Sequence, residues 1–186
     1  MTALYDDALA TLRAWHSDDP GQEQLRQRYV DHLDAHPDGT ERDCPGAHVT
    51  AGVLVLSADR RHVLLTLHAK ARRWFHLGGH CEPQDVTLGG AALREGVEEG
   101  GIPGLVLAPE PLHLDAHLVD FCREHERVTH LDVRFLALAP EGAVPEVSEE
   151  SLDVRWWPVD ALPTDAPEMR RLVDAGVAAA QSSRAI

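Results

Sequence analysis

Arg94-Glu95-Gly96-Val97-Glu98-Glu99 is the stretch on which the reading of the whole chain turns. At roughly 100° per residue on a helix, Glu95, Glu98 and Glu99 fall within an arc of about 100°, so three carboxylates share one face. Like charges at these spacings repel by a few tenths of a kcal/mol per pair in an isolated helix. A magnesium ion is the natural offset, since hard divalent cations prefer carboxylate oxygens and keep waters that a phosphate can displace. Arg94 sits beside the cluster, placed to orient one carboxylate or balance its charge. The opposite arc carries Gly89, Leu93, Gly96 and Val97, an apolar strip narrowed by glycine that suits close packing on a sheet. A Glu-x-x-Glu-Glu cluster alone would read as a solvated acidic surface. Gly89, Gly90 and Gly96 argue otherwise: each costs about 1 kcal/mol relative to alanine inside a helix and needs a local reason, such as close backbone approach.

Outward from this helix the pattern alternates between sheet and helix. Thr87 is placed to cap the helix, predicted from about Leu88 to Glu99, and Gly100-Gly101 with Pro103 to stop it. Upstream, Val53–Leu56 and Val63–Leu67 flank a polar turn and read as a hairpin, followed by a basic loop (Lys70, Arg72, Arg73), Trp74-Phe75 and Gly78-Gly79. Downstream, Leu112, Leu114, Ala116 and Leu118, then Leu131, Val133, Phe135 and Ala137, alternate as two strands. Their other faces carry His113, Asp115 and His117, then His130, Asp132 and Arg134. These line a cleft or form the wet side of a sheet, and the wet side is preferred because antiparallel sheets often leave one face solvated. Val154–Trp157 makes a last strand, and Asp165 with Pro167 opens a closing helix on Met169, Leu172, Val173 and Val177. At the amino end, Leu4, Ala8, Leu12 and Trp15, then Leu25, Tyr29, Val30 and Leu33, give two amphipathic helices broken at Asp19-Pro20-Gly21. The expected organisation is an N-terminal helical extension (1–45), a core of mixed sheet and helices of α+β class (46–165) and a C-terminal helix packed on that core (166–186).

Composition bounds the function. The 186 residues suit one core, and an apolar fraction of 44% is enough to bury a centre. With 31 acidic against 17 basic residues and a net charge of −14, the chain is a poor match to a polyanion, so general nucleic-acid binding is not expected. A small phosphorylated substrate remains compatible if metal ions neutralise the site locally. Cys44, Cys81 and Cys122 show no paired spacing, which argues against a disulfide framework or a zinc ribbon. The twelve histidines form no recognisable ligand pair on a helix, so no zinc site is expected from them. Without a signal-like or membrane-length apolar run, a cytoplasmic protein with no membrane partner is expected.

Gly79-His80-Cys81-Glu82-Pro83-Gln84-Asp85, then Ala91 through Arg94-Glu95-Gly96-Val97-Glu98-Glu99-Gly100-Gly101-Ile102, resembles the Nudix box, G-x5-E-x7-R-E-U-x-E-E-x-G-U with U a bulky aliphatic residue. Arg94 to Ile102 matches throughout except at Gly96. Asp85 stands where the pattern has its first glutamate, and the spacer to Arg94 is one residue longer. The resemblance implies an α/β/α sandwich with a mixed sheet, and attack of a metal-activated water on a diphosphate, usually of a nucleoside diphosphate linked to another group. It implies Mg²⁺, with Mn²⁺ as a substitute, and a homodimer. Carried over by position, Glu98 and Glu99 are the main metal ligands, Glu95 is a further ligand or the general base, and the Gly78 carbonyl completes the shell. Some family members use a glutamate outside the box, for which Glu150 is the first choice here and Glu146 and Glu149 compete.

Arg72, Arg73, Trp74, His130, Arg134 and Trp156 are the candidates for substrate contact, arginines for phosphate and aromatics for stacking on a base. Two rival readings share the fold. An isopentenyl-diphosphate-isomerase-like enzyme would need a reactive thiol, for which Cys81 is the candidate. A non-catalytic nucleotide-sensing module would bind without turnover.

Overall fold

The computed structural model describes residues 2–123, 126–148 and 151–182. Two helices come first, α1 (Ala3–Ala14) and α2 (Pro20–Ala35). Thr2 and Asp19 cap them through side-chain oxygens, and Pro20 supplies the fixed φ at the first turn of α2. The sheet strands are β1 (Ala47–Leu56), β2 (His62–His68), β3 (Trp74–Phe75), β4 (Leu77–His80), β5 (Val106–Leu107), β6 (His113–Arg123), β7 (Glu126–Leu138) and β8 (Ser151–Pro158). Helix α3 (Leu88–Gly100) joins β4 to β5, with Thr87 accepting from the Gly90 N–H and Gly101 ending it in the left-handed region at φ 64°. The last helix, α4 (Pro167–Gln181), starts from Ala166 rather than Asp165, and Ala166 makes no side-chain cap bond. No helix among the described residues is long and apolar enough to cross a membrane.

All eight strands form one mixed sheet. β1 is its spine: β7 pairs with it in parallel from Ala47↔Thr129 to Leu56↔Leu138, and β4 and then β2 pair with it antiparallel on the other edge. β8 extends the sheet beyond β2, while β6 and β5 share the outer edge of β7.

The alternation of β1 sends Val49, Ala51, Val53 and Val55 to one face, where α1, α2 and α3 bury them together with Leu114, Leu131 and Val133. The other face carries Leu54 and Leu56 against Met169, Leu172 and Val173 of α4. This is an α/β/α sandwich. The two N-terminal helices contribute to the first core directly, through Leu4, Tyr5, Ala8, Leu12, Trp15, Tyr29, Val30 and Leu33. Their attachment is also polar: the Gln22 side chain pairs with both backbone groups of Leu114 (2.7 and 3.0 Å) as a neighbouring strand would, and Tyr29 donates to the Asp115 carbonyl (2.7 Å).

One expectation is overturned. The polar face of β7 is not the wet side of the sheet, because Asp132 and Arg134 are each only 5% exposed and the neighbouring His48 and Thr50 of β1 are buried, whereas His117 of β6 is exposed. Alternation reports that two faces differ; it does not report what lies over the polar one.

Candidate functional site

β4 and α3 meet through backbone that tolerates no side chain. Gly78 lies opposite Gly52 and Gly79 opposite Ala51. A Cβ on Gly78 would stand 2.7 Å from the Gly52 Cα, and one on Gly79 would stand 2.7 Å from a Glu95 carboxylate oxygen. Without these methyls the strand comes close enough for the Gly78 N–H to donate to Glu99 Oε2 (2.8 Å). The helix is drawn equally close to β1: a Cβ on Gly96 would meet Val53 Cγ1 at 2.8 Å, which is why an aliphatic residue does not occupy that position. Gly90 is different, being exposed and near only its own cap.

Arg94 organises the acids around it. Its Nε and Nη2 donate to the two oxygens of Asp85 (3.1 and 2.9 Å), Nη2 also donates to the His80 carbonyl (2.9 Å), and Nη1 donates to Glu95 (3.0 Å) and Glu98 (2.9 Å). A planar guanidinium is suited to such a fork, and charge-assisted bonds of this kind are about twice as strong as neutral ones. Asp85 also accepts from the Glu82 N–H (2.8 Å), closing the turn. Burial works to raise the Asp85 pKa, but the bonds from Arg94 and Glu82 more than offset it and hold the carboxyl below its ordinary value. The Arg94 pKa is raised in turn, chiefly by Asp85 with burial opposing. The aspartate thus ties the loop to the helix despite the longer spacer.

Glu99 and Glu95 therefore lie against Gly78 and Gly79, Glu95 recessed (13% side-chain exposure), while Glu98, held by Arg94, is open to solvent (57%). Carboxylate oxygens are hard donors of the kind that suits Mg²⁺ or Mn²⁺.

The remaining candidates fall elsewhere. Glu150 and Glu149 lie outside the described residues. Glu146 has an exposed side chain, and its backbone N–H donates to the Gly100 carbonyl (3.1 Å) at the carboxyl end of α3. The six substrate-contact candidates are split between three places. Arg72 and Arg73 are exposed at the turn leading into β3, next to Trp74, which packs edge-to-face on Trp157 (5.2 Å between centroids). Trp156 points to the opposite face, half buried, its Nε1 donating to the Ala143 carbonyl (3.2 Å).

Arg134 and His130 belong to the buried polar face. There the Arg134 guanidinium is engaged by Asp132 (2.7 Å) and Asp115 (3.0 Å), while Asp132 also accepts from Thr50 (3.1 Å) and faces His76 (3.1 Å). Burial would raise the Asp132 pKa, yet the charge of Arg134 and the contact with His76 hold it far below the usual carboxylate range. His76 and Thr50 were not picked out from the sequence; the register that sets Thr50 opposite Asp132 is what gathers them.

Cys81 is 8% exposed, and burial, with Asp85 adding, pushes its thiol up to about 12. A thiol held protonated is a poor nucleophile, which removes the feature an isomerase would need. A cavity of about 380 Å³ lined by Asp7, Thr11, Thr87, Gly90, Leu93 and Phe135 sits at the amino end of α3, whereas the carboxylates occupy its other half.

A family model described as "NUDIX domain" matches residues 46–176. No curated protein matches the chain in sequence. Among solved structures it resembles a hydrolase of the NUDIX family from Clostridium perfringens (24% identity over 70% of this chain and 94% of that one, TM-score 0.50). It also resembles a C. elegans Ap4A hydrolase (18%, 70% and 95%, TM-score 0.54) and the E. coli dihydroneopterin triphosphate pyrophosphohydrolase (20%, 70% and 94%, TM-score 0.52). At these identities the likeness speaks for the fold.

Proposed function

Because the chain belongs to the Nudix family, we propose that it is a pyrophosphohydrolase that uses Mg²⁺, or Mn²⁺ in its place, to cleave the diphosphate of a small nucleotide-like substrate. The observation that carries this reading is the placement of Glu99 and Glu95 against the Gly78–Gly79 backbone, with Arg94 joining Glu95 to Glu98 on the same helix. Such an ion, when bound, lowers the pKa of water and neutralises charge that develops on the phosphates.

The residues have distinct parts. Glu98 and Glu99 are the main ligands, and Glu95, recessed beside Gly79, is a further ligand or the base that takes the proton of the attacking water. The Gly78 carbonyl is the backbone member of the donor set. Arg94 positions Glu95 and Glu98 from a single nitrogen and is itself fixed by Asp85. Glu150 is retained as the candidate base from outside this group.

The relatives act, by their names, on Ap4A, dihydroneopterin triphosphate and ADP-ribose. A nucleoside diphosphate linked to another group is accordingly the substrate class proposed, with a cytoplasmic homodimer as the expected form. The test is product release across nucleoside di- and triphosphates, nucleotide sugars, dinucleotides and ADP-ribose, with Mg²⁺ and then Mn²⁺. Turnover of any member that falls at least about 100-fold in Glu98→Gln supports the proposal. Tight binding without turnover would replace it with a nucleotide-sensing role.

A further inference from the structure

Three histidines and a cysteine from four different strands close on one point of the sheet. They are His48 of β1, His80 at the end of β4, Cys122 of β6 and His130 of β7, and their ligating atoms all lie within 4.8 Å of one another. His48 and His130 are direct partners in the parallel register, and Cys122 is brought in where the register of β6 against β7 shifts between Val119 and Arg123. The rings crowd at centroid distances of 4.9 to 5.1 Å, and the Cys122 Sγ lies 3.1 Å from His80 Nε2 and 3.6 Å from His48 Nε2. His48 and Cys122 are buried, and His130 Nε2 is a buried atom with no hydrogen-bond partner among the described residues.

We propose that His48, His80, Cys122 and His130 form a structural Zn²⁺ site, separate from the oxygen-ligand site of Glu95, Glu98 and Glu99. With Zn–N of about 2.0–2.1 Å and Zn–S of about 2.3 Å, the edges of a tetrahedral site are about 3.3–3.6 Å. The two Sγ to Nε2 separations, 3.1 and 3.6 Å, are already near those edges. The widest pair needs about 1 Å of movement, within the reach of a ring rotation. Four protein ligands fill a tetrahedron and leave no open position, the mark of a structural rather than a catalytic zinc. Thiolate and imidazole also select a softer ion than carboxylates do, so the chain sorts two cations by ligand hardness. Binding converts the Cys122 thiol to a thiolate, its proton leaving to solvent.

The site fastens β1, β4, β6 and β7 at one point. Through His80, whose carbonyl accepts from Arg94, it also steadies the loop that leads into α3. The proposal stands on this geometry and does not depend on the hydrolase reading.

The test uses the full chain, without a histidine tag, stripped by a chelator and titrated with Co²⁺ as a visible stand-in for Zn²⁺. The expected result is a tetrahedral Co²⁺ spectrum with a thiolate charge-transfer band, saturating at about one ion per chain and displaced by Zn²⁺. Cys122→Ser should abolish that band. Glu98→Gln should leave it unchanged, as should Cys44→Ser, which disrupts the other cluster of ligand-bearing side chains, His36, Asp38 and Cys44. Should Cys122→Ser fail to fold, X-ray absorption of the wild-type Zn²⁺ complex decides: one sulfur at about 2.3 Å with nitrogens at about 2.0–2.1 Å supports the site. An all-oxygen shell, no tetrahedral spectrum, or a band that survives Cys122→Ser or vanishes in Cys44→Ser overturns it.

Discussion

Asp85 shows how a site tolerates a departure from its pattern. Its side chain is 6% exposed and binds the Arg94 fork with both oxygens while accepting the Glu82 N–H. Asp85→Asn keeps the shape but removes the charge and points an amide at a guanidinium. Ligand-orienting partners of this kind contribute about 10–100-fold to activity or metal affinity, so the variant should lose that much in kcat/KM while retaining a cooperative melt. Wild-type kcat/KM in Asp85→Asn would remove Asp85 from any positioning role. The acidic helix and Arg94 were legible because fixed spacing on a helix places side chains without tertiary information. Of the Asp132 group only the members on the two alternating strands were, and the histidine-cysteine quartet was not. Their members are brought together by strand register from sequence positions as distant as His48 and His130.

Among the elements, the helices and the hairpin could be read directly from periodicity and caps. β3, β4 and β5, at two to four residues each, are too short to show a period, and β4 contains two glycines. The polar docking of α2 on β6 was equally invisible, since it uses a glutamine amide in place of a strand partner together with the Tyr29 hydroxyl on the Asp115 carbonyl. Gln22→Ala should leave the Leu114 N–H and carbonyl without that partner and cost about 1–3 kcal/mol in chemical denaturation; a change under about 0.5 kcal/mol would show that water takes its place.

The same contact adds a pH dependence. Burial, aided by the Arg134 charge, pulls the His113 pKa down to about 4, and His113 Nε2 lies 3.2 Å from Gln22 Nε2. The unfolded chain binds the proton near pH 6.5, so between about 6.5 and 4 it holds more protons than the folded one and stability falls as pH falls. His113→Gln should flatten the loss of stability between pH 7 and pH 5. An unaltered slope would place the acid sensitivity in other groups.

At the scale of the whole molecule, the first 35 residues are not an appendage in energetic terms. Eight of their side chains lie in the core shared with β1, β7 and α3. Burying a large apolar side chain contributes about 1.5–3 kcal/mol, so their combined loss rivals the roughly 5–15 kcal/mol that holds a domain folded. Deleting residues 1–42 should therefore abolish the cooperative thermal transition seen by circular dichroism. A truncated chain melting within a few degrees of the intact one would show that these helices are dispensable to the core.

The parallel pairing of β1 with β7 has a further consequence, in the order of events during synthesis. β1 ends at Leu56 and β7 begins at Glu126, and α3 with its carboxylates lies in the connection between them. Until Leu138 leaves the ribosome, one edge of the central strand has no partner, and its run of valines and leucines is open to other chains. Pairings this remote are slow to form, because the loop must close before any bond rewards it. The nascent chain should accordingly lean on chaperones through that interval, and substitutions that weaken β7 should lower the soluble yield in cells by more than they lower the equilibrium stability of the purified protein.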